Sequence, residues 1–257
     1  MDPVLFRWGR YTLYTYTALL GLGIVLAVAF AHWRGRRAGY PDLVVLDGAL
    51  WTLVGGLIGA RAAYVIPNWG DFAGRPLAIL SLWGGGLVFQ GGLVGGAIAL
   101  WLYSLYVQRP FLPMADMAAA AVALAQGVGW IGALIHGAHY GVVLRSPVSM
   151  WLPDLYGIYG PRFPTQLLAS LLGLALFYAL YRLSLLRHRP GMVALLYLLG
   201  NGAGHFVLEF TRADEAFYVG LLRATQVAEL AEAILAAGLL LYCELRHRAR
   251  VQHPPAQ

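Results

Sequence analysis

Lysine is absent from this chain: all 18 basic residues are arginine. Both residue types mark membrane topology equally well, so no mechanism is drawn from the bias. Cysteine is nearly absent as well. Cys243 stands alone near the end of an apolar segment, which excludes an intrachain disulfide and any paired-cysteine metal motif. Charge is scarce, with Asp, Glu, Lys and Arg making up 12% of the residues. A soluble domain carries about 25%. No loop holds a long basic run or an aromatic–basic stripe, which argues against nucleic acid as a partner despite the formal net charge of +6. The N-terminus lacks the basic stretch of a cleavable signal, so the first span is expected to stay in the mature protein.

Apolar residues are abundant, at 60% of the chain, and mean hydropathy is +0.65. Seven apolar stretches stand out, at about 12–32, 43–66, 88–107, 114–135, 166–185, 190–210 and 226–243. Each approaches the ~20 residues that cross a bilayer. Irregular backbone would leave polar groups unpaired in hydrocarbon, so helices are expected. The expected fold is an all-α, polytopic membrane bundle of about seven helices, with residues 1–257 as one domain and no internal repeat. Placing the N-terminus outside and the C-terminus in the cytoplasm puts the clusters Arg34/Arg36/Arg37, Arg187/Arg189 and Arg246/Arg248/Arg250 on the inner side. The long segments 67–87 and 136–165 then face outward, and so does the expected function.

Several polar residues sit where lipid should exclude them. Arg61 lies inside the second span, where a charge faces the bundle interior or snorkels to the nearby end. The run Gly84–Gly96 holds seven glycines in thirteen residues, together with Gln90. It permits close helix packing or a broken helix offering N–H groups to an anion. His136 and His139 are three residues apart at the end of the fourth span, and suit an interfacial proton or phosphate partner or a polar helix end. No third ligand at a recognisable spacing supports zinc. His205, Glu209 and Arg212 share one helical stripe. There the carboxylate is expected to pair with its flanking residues. Glu229 and Glu232 in the last span need partners across the bundle, with arginines as candidates.

The order and spacing of short motifs resemble the prolipoprotein diacylglyceryl transferases of bacterial inner membranes. The resemblance runs from Asp2-Pro3-Val4-Leu5-Phe6 and Tyr16 through Gly59-Ala60-Arg61-Ala62-Ala63-Tyr64 and the glycine run with Gln90, Gly91 and Gly92. It continues through Gly127–Gly141, Arg162-Phe163-Pro164-Thr165-Gln166-Leu167 and Glu209-Phe210-Thr211-Arg212. It implies transfer of a diacylglyceryl group from phosphatidylglycerol to the lipobox cysteine thiol of a preprolipoprotein, without cofactor or metal. Partners would be phosphatidylglycerol, preprolipoprotein signal peptides and surrounding lipid, and the protein is expected to be a monomer. Departures from the family pattern are specific. Gln90 replaces a His, Trp130 and Ala133 replace the Arg and Asn of an Arg-x-Gly-Asn, and His136 and Ala138 replace a further Asn and Glu. His205 replaces an Arg.

Expected catalytic residues are therefore His205, Glu209 and Tyr16, with His205 the first candidate for the proton acceptor. Arg61, Arg212, Gln90, Gly91, Gly92, His136 and His139 are expected to hold phosphate or lipid. The competing expectation is a non-catalytic or altered-specificity lipid- or lipoprotein-binding paralogue.

Overall fold

The computed structural model describes residues 4–9, 11–81 and 85–252. Asp2, Pro3, Arg10, Trp83 and Gly84 lie outside them. A short hairpin, β1 (Val4–Trp8) and β2 (Tyr11–Tyr14), leads into α1 (Thr15–Arg37). Then follow α2 (Asp42–Val65), the single turn α3 (Trp69–Phe72), a 3-10 turn (Pro76–Leu80), α4 (Phe89–Tyr106) and α5 (Phe111–His136). The hairpin β3 (Met150–Pro153) and β4 (Tyr159–Arg162) precedes α6 (Thr165–Ser184) and α7 (Met192–Glu209). The short hairpin β5 (Tyr218–Val219) and β6 (Leu222–Arg223) leads into α8 (Ala224–Gln252).

Among the described residues, seven helices reach 18 residues or more, at the expected places. Six are long and apolar enough to cross a membrane. Helix α4 is the exception: Gln90, four glycines, Ser104 and two tyrosines dilute its hydropathy. The chain is an integral membrane protein with an all-α bundle.

The chain folds as two compact units. The unit of residues 28–118 is built on α2 and α4. A side chain on Gly55, Gly59, Gly91 or Gly95 would strike the backbone of the opposing helix. Lipid supplies no hydrophobic drive between helices, so close backbone contact supplies dispersion attraction instead. Elsewhere in this unit, Leu100, Tyr103 and Met114 are buried with Tyr40, Val44 and Phe111 packed against them.

The unit of residues 1–27 and 119–257 holds most of α5 and all of α6, α7 and α8. Gly127 on α5 and Gly173 on α6 meet backbone to backbone, and Ser170 Oγ donates to Gly127 O at 2.7 Å. Gly202 on α7 faces the main chain of Glu229 and Ala233 on α8. A polar chain crosses three helices: Tyr197 Oη donates to Gln126 Oε1 at 2.6 Å, Gln126 Nε2 to Asn201 Oδ1 at 3.0 Å, and Asn201 Nδ2 to Glu232 Oε1 at 3.0 Å. Glu232 thus pairs with an amide instead of the expected arginine, because Asn201 is the donor that α7 presents to it.

The segment between α5 and α6 is fastened to the chain just after α7. Val142 N donates to Thr211 O at 2.8 Å and Ala213 N to Tyr140 O at 2.9 Å. Asp154 accepts from Arg162 at 2.9 Å, and Arg162 lies 4.7 Å from the Tyr140 ring centroid. Gln166 is fully buried and donates to Ala138 O at 2.9 Å. The motif Arg162–Leu167 is therefore a fastening for this segment.

Replacing Gly59 by Val puts a branched side chain into the backbone of α4. Overpacking costs about 1–3 kcal/mol when neighbours can yield, and more against main chain. The variant is expected to lose several degrees of melting temperature in detergent, while Gly74→Val, where the added atom meets nothing within 4 Å, melts like the parent.

Candidate functional site

Arg61 is buried at 8% exposure, and all its donors are in use. Nε donates to Ile79 O, Nη1 to Gly85 O and Gly86 O, and Nη2 to Ala78 O and Ser81 O, at 2.8–3.0 Å. Five N–H groups thus meet five carbonyls. Gly85 and Gly86 have φ of +79°, a conformation glycine tolerates, and this turns their carbonyls onto the guanidinium. The expectation that Arg61 holds phosphate is corrected on that ground: no donor remains for a phosphate oxygen. Arg61 ties residues 78–81 and 85–86 to α2. Gly91 is likewise required by packing, since a side chain there would meet Ala63 and Gly59. Gly92 has room for a side chain at ordinary contact distance, and Gln90 opens α4 beside them. These residues belong to the unit of 28–118.

The other expected residues fall in the second unit, and many converge. Arg212, just past α7, donates through Nε to Asp214 Oδ1 at 2.9 Å and through Nη2 to Asp214 Oδ2 at 2.5 Å. Its Nη1 donates to Glu209 Oε1. Arg223 reaches Asp214 Oδ1 at 3.2 Å and Glu209 Oε2 at 3.6 Å, and donates to the carbonyls of Arg212 and Asp214. Two cations and two carboxylates thus form one neutral cluster. Burial raises the tendency of Asp214 to hold its proton. Its contacts with His139 and Arg212 outweigh that and keep its carboxyl well below the usual range.

His139 touches the same cluster. Its Nδ1 lies 2.7 Å from Arg212 Nη2 and 3.4 Å from Asp214 Oδ2. In the neutral ring the shorter contact decides: Nδ1 accepts from Arg212, and the proton sits on Nε2. Protonation at Nδ1 would turn it into a donor toward Asp214. The side chain is 42% exposed. Its backbone is left-handed, with φ of +54°, a strained setting for a residue with a side chain.

Trp130 packs between two histidines, its ring centroid 5.3 Å from His139 and 5.4 Å from His205, with the His205 ring nearly parallel at 22°. Of the expected stripe, the Glu209–Arg212 pair forms and the pairing of Glu209 with His205 is corrected. Glu209 is taken by Arg212 and Arg223, and His205 lies on the indole instead of pairing with it. His136 stacks on Tyr16 at 5.8 Å and meets Tyr14 edge-on, while its Nδ1 is buried without a hydrogen bond. The fold therefore groups Arg212, Glu209 and His139, places His205 beside them through Trp130, and sets Tyr16 with His136.

Asp214 and Arg223 were not among the expected residues. The sequence carried a weak signal for Asp214, two positions after Arg212. Arg223 gave none, because only the short hairpin before α8 turns it inward.

The family model for prolipoprotein diacylglyceryl transferase matches residues 3–242. Among curated relatives, the phosphatidylglycerol–prolipoprotein diacylglyceryl transferase 2 of Clostridium perfringens is 32% identical over 232 residues, 90% of each chain. The like-named proteins of Clostridium tetani and Gloeobacter violaceus are 31% and 30% identical, covering 90% and 98% of this chain and 93% and 96% of their own.

Because the folded-state carboxyl of Asp214 is shifted down, its stabilisation is present above its unfolded value near ~3.9 and is lost as pH falls through the folded value. Melting temperature of the parent is expected to fall more steeply below about pH 4 than that of Asp214→Asn, which starts lower at neutral pH. Parallel curves would remove Asp214 from the cluster's energetics.

Proposed function

We infer the function from one premise: the chain belongs to the prolipoprotein diacylglyceryl transferase family. It moves a diacylglyceryl group from phosphatidylglycerol to the thiol of a preprolipoprotein's lipobox cysteine. The thiolate attacks the glyceryl carbon, a thioether forms, and glycerol phosphate leaves. The observation that carries this reading is the family match over residues 3–242.

The chemistry asks for a proton acceptor near the thiol and for donors aimed at the departing phosphate. His205, the imidazole that Trp130 sets beside the cluster, is assigned the thiol proton. Its stacking on Trp130 fixes the ring plane. His139 presents Nε2–H to a phosphate oxygen, with the tautomer set by Arg212. Arg212 has one Nη1 proton beyond those given to Glu209, Asp214 and His139. Tyr16 and His136 form an aromatic wall. Gln90, Gly91 and Gly92 serve the lipid through α4. The protein resides in the bacterial inner membrane as a monomer, with its N-terminus outside and its C-terminus cytoplasmic, the sense favoured by the arginine clusters.

One observation favours the competing reading of a non-catalytic or altered-specificity paralogue. Two family cations are replaced by Trp130 and His205, and the replacements stack on each other.

The deciding experiment is turnover of phosphatidylglycerol and a lipobox peptide by purified protein. The parent is expected to form the thioether. Arg212→Gln and His205→Gln are each expected to lose about 100-fold in kcat/KM, the scale of one electrostatic or acid–base group. Full activity in either variant removes that residue from the mechanism. A folded parent without activity supports the paralogue reading. For topology, a reporter after Arg250 is expected to read as cytoplasmic and one in 145–160 as external. The reverse result would overturn the orientation.

A further inference from the structure

Glu229 is unassigned so far. It is 4% exposed, and its Oε2 is buried without a hydrogen-bond partner. It lies on the face of α8 that meets α7, where a side chain on Gly202 would come within 2.6 Å of Glu229 O. Asn201 and His205 stand on the same helix as that contact, within four residues of Gly202. Glu229 is within electrostatic reach of Glu209, Arg212 and Glu232.

The cations around it are already committed. Arg212 serves Glu209, Asp214 and His139, and Arg223 serves Asp214, Glu209 and two carbonyls. Glu209 and Asp214 balance them, and Glu232 takes its hydrogen bond from Asn201. Among the described residues, no cation forms an ion pair with Glu229, and Arg212, the one cation within its electrostatic reach, is shared with Glu209, Asp214 and His139. A lone carboxylate at this depth costs several kcal/mol, whereas a carboxylic acid does not. A carboxylic acid also carries something a carboxylate lacks, an O–H to donate.

The reaction needs such a donor. The departing phosphate gains negative charge as its bond to carbon breaks, and Trp130 and His205 stand where the family pattern has two arginines. We propose that Glu229 is the general acid of this site, protonating the phosphate oxygen that leaves. The proposal rests on the transferase reading above. The thiol gives its proton to His205, and its sulfur forms the C–S bond to the glyceryl carbon. The C–O bond to phosphate breaks, its electron pair stays on the phosphate oxygen, and that oxygen takes the Glu229 proton. Glycerol phosphate leaves as a monoanion, and the proton on His205 restores Glu229. The net step carries the thiol proton to the leaving group.

The test compares the parent, Glu229→Gln and Glu229→Asp on two donors. One is phosphatidylglycerol. The other is its neutral trifluoroethyl phosphotriester, whose departing group is a weakly basic diester that needs no proton. Glu229→Gln keeps the shape and the hydrogen bond but has no proton to transfer. On phosphatidylglycerol it is expected to lose about 100-fold in kcat with KM changed less than about 3-fold, the usual scale of a general acid. On the triester it is expected to match the parent within about 3-fold, and Glu229→Asp to recover part of the loss on phosphatidylglycerol. Equal losses of Glu229→Gln on both donors, or no loss on phosphatidylglycerol, overturn the proposal. Each variant is first required to match the parent's melting temperature in detergent, so that an equal loss on both donors reports on chemistry. A folded parent that turns over neither donor refutes the transferase reading itself, and this role with it.

Discussion

A guanidinium in a bilayer must find its acceptors inside the protein, because hydrocarbon offers none. Arg61 meets that demand with five carbonyls, and Arg212 and Arg223 meet it with Glu209, Asp214 and His139. Much of the loop structure follows from these pairings. Ala78, Ile79, Ser81, Gly85 and Gly86 are placed with their carbonyls on one cation. The segment after α7 turns back because Asp214 must reach both arginines. Remove the cations and these segments keep their glycines but lose the reason for their shape.

The same constraint explains what the sequence disclosed. The seven long helices were legible because hydropathy and length are local, and most of their ends fell within a few residues of the apolar runs. Polar residues within those runs were legible as exceptions. Their partners were not. Arg61 could be picked out as anomalous, yet its acceptors are main-chain atoms, which carry no residue signature. His205, Glu209 and Arg212 share a helical stripe, and spacing alone allowed any pairing among them. Arg223 comes from beyond a hairpin whose path the sequence does not encode simply, and it completes the set. Trp130 and His205, each a departure when taken singly, become one contact in three dimensions.

Relatedness and local chemistry answer different questions here. Family membership rests on order and coverage along the chain. The particular polar groups that do the work are a separate matter, since a fold can hold its shape while its site is rebuilt. In this chain Glu209 and Asp214 balance Arg212 and Arg223, and α8 carries the buried carboxyl of Glu229.

The chain of hydrogen bonds from Tyr197 through Gln126 and Asn201 to Glu232 has a mechanical meaning. Helices that touch only through glycines and aliphatic side chains can slide by small amounts at small cost. Three bonds of 2.6–3.0 Å threaded through α5, α7 and α8 forbid that, because an offset of even about an ångström along the axis breaks them together. The next equivalent register is a full helical turn away, about 5.4 Å. These three helices therefore translate as one body or not at all, and shape change on taking up a lipid is left to the segments that border them.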